Sequence, residues 1–298
     1  MLFWDRKSNL LALGQEPPER LLPAARAMSL PLLYRWMPWP EESDYDSPMT
    51  LPTLTKTRRA IEQLLSAIES RDLRAVERYL HPDVVWQNVP HPPTLGRHAV
   101  TELLANVLCW SDQVRWDILS SAVSGETGWY ERVDRFWMAG EEHAVHCNGV
   151  FEVDTGAQTV RSVRDYVDLG EWRSRIEPVM TQLASRPASE VVARHLDAVR
   201  RLDPVAMAAD YGLHAVLQRP GRAYAGWAAI ADYFDTVPTR LGDAEVLFEP
   251  IEPLGKDQAR VAWRIAAPGG ASHSGVDTFS VVAGCITHQL TELHGEDF

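Results

Sequence analysis

Apolar residues recur along this chain with two different periods, and the changes of period mark its elements. Ile61, Leu64, Leu65 and Ile68 follow the i, i+3, i+4, i+7 spacing of a helix with one buried face. Asp72 stands where an N-cap is wanted, ahead of a second helix carrying Leu73, Val76 and Leu80 that Pro82 stops. A short strand, Val84 to Asn88, comes next, then a loop stiffened by Pro90, Pro92 and Pro93 and closed by Gly96. Val100, Leu103, Leu104 and Val107 return to the helical period. Beyond them the period falls to two, in strands near residues 113–123, 128–138, 143–153 and 159–168, joined by glycine-bearing turns. Short helices followed by a meander of long strands predict an α+β fold, not the alternating order of a doubly wound sheet.

The same order then returns. At an offset of 131, Ile61, Leu65, Ile68 and Asp72 match Val192, Leu196, Val199 and Asp203, and Trp86 to Asn88 fall on Leu217 to Arg219. Gly96 falls on Gly226 at an offset of 130, and Val133 and Phe151 fall on Val261 and Phe279 at 128. A tandem duplication with small gaps in loops accounts for this. Three segments are expected: a Pro- and Trp-rich extension over 1–56, one domain over 57–182, and a second copy over 189–298, with a linker near Leu183 to Ser189. Eight of the 20 prolines and three tryptophans (Trp4, Trp36, Trp39) fall in the first segment, which reads as an extended arm with a helical turn or two around 19–28.

Composition narrows the function. A chain of 298 residues with 45% hydrophobic and 23% charged residues is an ordinary globular protein, long enough for two cores. Its net charge of −12 argues against a nucleic-acid surface. No apolar run approaches the roughly 18–20 residues of a membrane span. Three widely separated cysteines, Cys109, Cys147 and Cys285, predict free thiols, neither a disulfide framework nor a zinc site, and with them a cytoplasmic location. His143 and His146 form an H-x-x-H, but three apart on a strand they face opposite sides, so no metal is expected there.

Candidate chemistry lies in two strands. Period two puts Arg132 and Asp134 on one face with Tyr130 and Phe136, and Asp165 shares its face with Val163 and Val167. A guanidinium between two inward carboxylates is costly to bury for stability alone, and sensible for acid and base work. The second copy offers a control. In the alignment above, Arg260 falls opposite Arg132, Ala262 opposite Asp134, Thr291 opposite Asp165 and Arg219 opposite Asn88. It keeps the scaffold and lacks both acids, which favours a chemical role for them in the first.

Three motifs, Trp86-Gln-Asn-Val-Pro-His-Pro-Pro-Thr-Leu-Gly-Arg-His-Ala-Val, Glu131-Arg-Val-Asp and Arg164-Asp-Tyr-Val-Asp-Leu, resemble in order and spacing those of the limonene-1,2-epoxide hydrolase family, over residues 57–177. The second copy is similar only to the wider NTF2-like/SnoaL-like superfamily. The resemblance implies tandem cone-shaped domains, each a curved, mostly antiparallel sheet around a deep pocket. It implies that Asp165 is the general base on water, Asp134 the general acid on the epoxide oxygen, Arg132 the bridge between them, and Asn88 a holder of the water. Trp86 and Val163 would line the substrate. The family usually has a tyrosine at the Trp86 position and an aromatic at the Val163 position. An indole N–H donates a hydrogen bond and cannot accept one, so the water would be held differently here.

The implied activity is cofactor-free addition of water to a small hydrophobic epoxide, cyclic or terpenoid-like, giving a vicinal diol. No G-x-S-x-G elbow suggests a covalent route. Two other readings fit the superfamily: a ketosteroid-isomerase-like proton transfer, and non-enzymatic binding of a small molecule. A homodimer, or an intrachain pseudo-dimer of the two copies, would complete the assembly.

Overall fold

The computed structural model describes residues 51–266 and 272–295, so residues 1–50 of the expected N-terminal arm lie outside the described residues, and residues 51–56 are helical. Helix α1 (Leu51–Glu69) begins ahead of the expected start at Thr57, buries Ile61, Leu64, Leu65 and Ile68, and ends in a turn where Arg71 takes a positive φ. The Asp72 carboxylate then accepts the backbone N–H groups of Arg74 and Ala75, capping α2 (Leu73–Tyr79). Leu80, expected in that helix, is instead the first residue of β1 (Leu80–Asn88), its side chain fully buried. Strand β2 (Thr94–Leu95) folds back on β1, and Gly96, at φ +85°, leads into α3 (Arg97–Trp110). A side chain at that φ would be strained, so the glycine is required there.

Four long strands follow: β3 (Gln113–Ser124), β4 (Thr127–Met138), β5 (Glu141–Asp154) and β6 (Thr159–Val167). They pair antiparallel in sequence, and β6 then lies parallel against β1, giving the sheet order β2-β1-β6-β5-β4-β3. Alternation along β4 sends Tyr130, Arg132, Asp134 and Phe136 inward. A short helix α4 (Leu169–Glu171), capped by Asp168, a five-residue π-helical turn (Trp172–Ile176) and α5 (Glu177–Ala184) close the first half.

The second half repeats the plan. Helices α6 (Ala188–Arg200) and α7 (Pro204–Ala209) precede β7 (Tyr211–Arg219), β8 (Arg222–Ala225) and α8 (Trp227–Leu241). Asp203 caps α7 as Asp72 caps α2, and Gly226, at φ +84°, precedes α8 as Gly96 precedes α3. Two short strands, β9 (Glu245–Phe248) and β10 (Glu252–Pro253), both pair with β11 (Gln258–Ala266), which continues through β12 (Ser272–Val282) and β13 (Cys285–Leu293). Strand β13 runs parallel to β7, as β6 does to β1. This is a mixed α+β protein with two curved sheets packed against helices, as expected of tandem NTF2-like/SnoaL-like domains.

Register corrects one part of the internal alignment. Gly149 pairs with Asp165 in the first sheet and Asp277 with Thr291 in the second, which keeps the offsets of 128 and 126 for those strands. Cys147, opposite Arg132, then matches Gly275, whose partner is Trp263. Arg132 therefore corresponds to Trp263, not Arg260, and Asp134 to Ile265, not Ala262. The cause is the hairpin tip: beyond the Arg135–Ala144 pair the first half has residues 136–143, and beyond Ala266–Ser272 the second has only 267–271. An odd shift of three flips the face, which is why Arg260 points outward and pairs with Glu252 at 2.7 Å.

The halves also touch. Cys109 at the end of α3 and Cys285 at the start of β13 form a disulfide, with Cα atoms 6.3 Å apart, so the expectation of three free thiols fails. A separation of 176 residues hid the pair, because only the folded arrangement brings these two ends together. Beside it the Trp110 indole donates to the Ala283 carbonyl at 2.9 Å, and Arg194 on α6 donates to the Cys109 carbonyl at 2.5 Å. Among the described residues no helix is long and apolar enough to cross a membrane.

Candidate active site

Three strands build one constellation. Arg132 and Asp134 project from β4, Asp165 projects from β6, and β5 lies between them. Arg132 is opposite Cys147 and Asp165 is opposite Gly149, two residues further along β5. The arginine therefore crosses β5 diagonally to reach the second acid. Its Nη2 donates to Asp165 Oδ1 at 2.8 Å, while Nε and Nη2 donate to Asp134 Oδ1 and Oδ2 at 2.6 and 3.2 Å. Arg132, Asp134 and Asp165 are 2%, 7% and 4% exposed, which places the whole ion triad out of bulk water.

Gly149 makes this crossing possible. A Cβ there would overlap Arg132 Nη1 and lie 2.8 Å from Asp165 Oδ1. A glycine inside a strand that otherwise alternates well is the signal in the sequence for such a close approach. Trp116 also belongs to the site. It pairs with Asp134 across β3 and β4, its ring centroid is 5.4 Å from the Arg132 guanidinium carbon, and its buried Nε1 has no hydrogen-bond partner among the described residues. The Phe151 ring centroid lies 5.7 Å from the same guanidinium carbon. Edge-on ring contacts extend the collar from Trp116 to Phe136 and on to Trp172.

The parallel pairing of β1 with β6 brings in the remaining candidates. Asn88 is the direct partner of Asp165 and Trp86 that of Val163, so all four share the inner face with Gly149 and Phe151. Trp86 and Val163 are buried, and Asn88 is half-buried. Past Asn88 the chain turns through a cis Val89–Pro90 bond, with the Val89 N–H bonded to the Asp165 carbonyl at 2.8 Å.

Burial and charge act against each other in this cluster. Burial disfavours the Arg132 charge, but Asp134 and Asp165 outweigh it and hold the guanidinium protonated well above its ordinary range. For Asp134 the order is reversed. Burial pushes its carboxyl up to about 6; the Arg132 charge and its two hydrogen bonds only partly offset that, and the neighbouring Asp165 adds to the push. The Cys147 thiol is driven upward, first by burial and then by Asp165, so it is a neutral filler beneath the ion triad. One acid that keeps its proton up to about pH 6, beside a second acid and a fixed cation, is an arrangement able to give a proton and take one in the same step.

Among the described residues, metal ligation has one geometric candidate elsewhere. His98 and Glu102 on α3 and His214 on β7 bring donor atoms within 4.8 Å of one another, all exposed. His143 and His146 do not converge: the latter points outward and pairs with Glu171 at 3.0 Å.

Residues 61–161 match the sequence profile of the SnoaL-like domain family. Solved structures similar to this chain include an LEH-like epoxide hydrolase from M. tuberculosis, 26% identical, covering 41% of this chain and 89% of that one at a TM-score of 0.37. A SnoaL-like polyketide cyclase from Shewanella denitrificans OS-217 is 11% identical, over 41% of this chain and 97% of its own, at a TM-score of 0.38. A polyketide cyclase from Xanthomonas campestris is 20% identical, over 42% and 99%, at 0.37.

Proposed function

Taking residues 61–161 as a SnoaL-like domain, we propose that its pocket hydrolyses a hydrophobic epoxide to a vicinal diol by one-step acid and base catalysis. The observation that carries the reading is Arg132 bridging two buried carboxylates of which one, Asp134, holds its proton to about 6. The three motifs similar to the limonene-1,2-epoxide hydrolase family support the same assignment. The second copy has neither acid nor the bridging arginine at the matching positions, which restricts the chemistry to the first.

In this scheme Asp165 and Asn88 hold a water. Asp165 removes one of its protons as the water oxygen attacks an epoxide carbon. The C–O bond of the strained ring breaks, and Asp134 delivers its proton to the departing oxygen. The products are the diol, a protonated Asp165 and an ionised Asp134, and transfer of one proton between the acids through solvent restores the starting state. Each group is worth roughly 10²–10⁴-fold. Arg132 keeps the two charges of the cycle compensated throughout, since it contacts both acids. The collar of Trp86, Trp116, Phe136, Phe151 and Trp172 suits an apolar ring-bearing substrate.

The test is a single turnover with limonene oxide and other cyclic epoxides in ¹⁸O-water, wild type beside Asp165→Asn. Labelled diol on the first turnover, lost in the variant, is the expected result. Unlabelled first-turnover diol would mean an enzyme nucleophile. An isomerised, unhydrated product would transfer the pocket to proton-transfer chemistry.

A further inference from the structure

Helix α3 belongs to the first half but packs against β7 and β13 of the second. Its far end is fixed there, with Cys109 bridged to Cys285 and the Trp110 indole donating to the Ala283 carbonyl. Its near end carries a different chemistry. His98 and Glu102 are four residues apart, so they stand one turn above the other on a single face of the helix. Alternation along β7 buries Ala215, Leu217 and Arg219 and leaves His214 on the opposite, exposed face. There its ring centroid lies 5.1 Å from that of His98. One nitrogen from each ring and one Glu102 carboxylate oxygen all fall within 4.8 Å of one another.

Nothing else claims these three groups. Among the described residues none of the three side chains is hydrogen-bonded or ion-paired, although they converge from two separate elements. The duplicated scaffold does not require them either. At the offset of 130 that matches Gly96 to Gly226, His98 and Glu102 fall on Ala228 and Asp232 of α8, and Asp232 is ion-paired with Arg74 instead. Two imidazole nitrogens and one carboxylate oxygen are a donor set suited to zinc, which keeps a fourth position for water when the protein supplies three ligands. Calcium and magnesium take sites built of oxygen. Ligands about 2.0–2.1 Å from a tetrahedral ion lie on the order of 3.3 Å apart. Rotamer changes in exposed side chains close that difference, while the helix and strand that carry them are already in place. Exposure also gives the ion its way in.

We propose that His98, Glu102 and His214 bind a zinc ion that clasps the start of α3 to β7, as the disulfide clasps its end to β13. The two ties lie roughly 10–16 Å apart along the helix, at about 1.5 Å per residue. Together they hold one helix of the first half against two strands of the second. The ion is structural in this assignment and takes no part at the Arg132 triad, so the site stands whether or not the first half hydrolyses epoxides.

Calorimetric titration of the chelator-stripped full chain with Zn²⁺ tests it. Wild type should bind one equivalent, and magnesium in about a hundredfold excess should not displace it. His98→Ala and His214→Ala should each weaken that binding at least about tenfold, the scale reached by losing even an outer-shell partner. Glu102→Gln should weaken it too. His146→Ala, which removes the other exposed histidine paired with a carboxylate, should leave it unchanged. Zn²⁺ should also raise the thermal unfolding midpoint of wild type and not that of His214→Ala. The substituted side chains are exposed, so the variants should fold, and circular dichroism without metal checks this. Absence of a one-equivalent event in wild type, binding that survives His98→Ala or His214→Ala, or binding lost in His146→Ala would each overturn the site. Binding without a rise in the unfolding midpoint would overturn the clasp.

Discussion

Gly149 and Asp277 hold the same place in two sheets, one opposite Asp165 and the other opposite Thr291. In the first sheet the position must be empty for Arg132 to pass. Gly149→Ala should therefore overpack the site, at a cost of about 1–3 kcal/mol. It should also push the guanidinium off Asp165 and slow epoxide turnover by about 10²-fold, the usual penalty for a displaced catalytic group. Thermal unfolding and single-turnover rates on one preparation measure both, and unchanged values in each would remove the steric argument.

Asp134 sets the alkaline side of the pH profile. Its proton is lost near 6, and a general acid works only while protonated. The kcat/KM should fall about tenfold per pH unit above that point. Asp134→Asn should lose roughly 10²–10⁴-fold in rate. A flat profile from pH 5 to 9 in the wild type would take the acid role away from Asp134.

Arg132 compensates two buried acids at once, so its removal should be severe. Arg132→Leu is expected to cost about 3–5 kcal/mol at pH 8, where both carboxylates would be left charged without a cation. At pH 5 the loss should shrink, because Asp134, its carboxyl pushed up to about 6 by burial, is protonated there and one of the two negative charges is gone. Urea unfolding at the two pH values makes the comparison, and equal losses would mean the residue matters through packing alone.

In the second half, Arg194 holds buried Asp210 through its Nε at 2.6 Å, and His195 Nδ1 lies 3.4 Å from the other carboxylate oxygen. Burial would raise the Asp210 carboxyl, but Arg194 and His195 outweigh it and hold it below its ordinary value. A depressed folded pKa gives stability that is present above the unfolded value, about 3.9, and is lost as pH falls through the folded one. Asp210→Asn should destabilise by about 1.5–3 kcal/mol at pH 7, since it removes the buried charged acceptor of half-buried Arg194, whose other carboxylate partner, Asp112, is exposed and 3.6 Å away. The difference from wild type should close in strong acid, which acid titration of circular dichroism would follow.

The Cys109–Cys285 bridge closes a loop of 176 residues. Cys109→Ser should lower stability by about 3–5 kcal/mol on the chain-entropy account of such loops. Thiol titration of the unfolded chain should find Cys147 alone before reduction and all three cysteines after it.

The two periods carried much of the fold. Ile61 to Ile68 as a buried helical face, Asp72 as a cap, and Arg132, Asp134 and Asp165 as inward residues could all be read from spacing, because local sterics fix which side chains share a face. What escaped was set by long-range register. Arg260 aligns with Arg132 in sequence yet lies outside, because a hairpin shortened at its tip moves the gap to a place where no residue pattern marks it. Leu80 reads as helical because its apolar spacing suits α2 as well as β1. Trp116 could be read only as aromatic, since its contact with Arg132 depends on the pairing of β3 with β4.

That both halves lie in one chain bears on how their pockets could diverge. In a pair of identical subunits every substitution is made twice, so a residue harmful in one pocket is harmful in both. Here the codon for Gly149 and that for Asp277 are separate, and a change in one leaves the other untouched. The scaffold could thus retain a tightly packed ion triad on one side and rebuild the floor of the opposite pocket, residue by residue, without passing through a state in which both were broken.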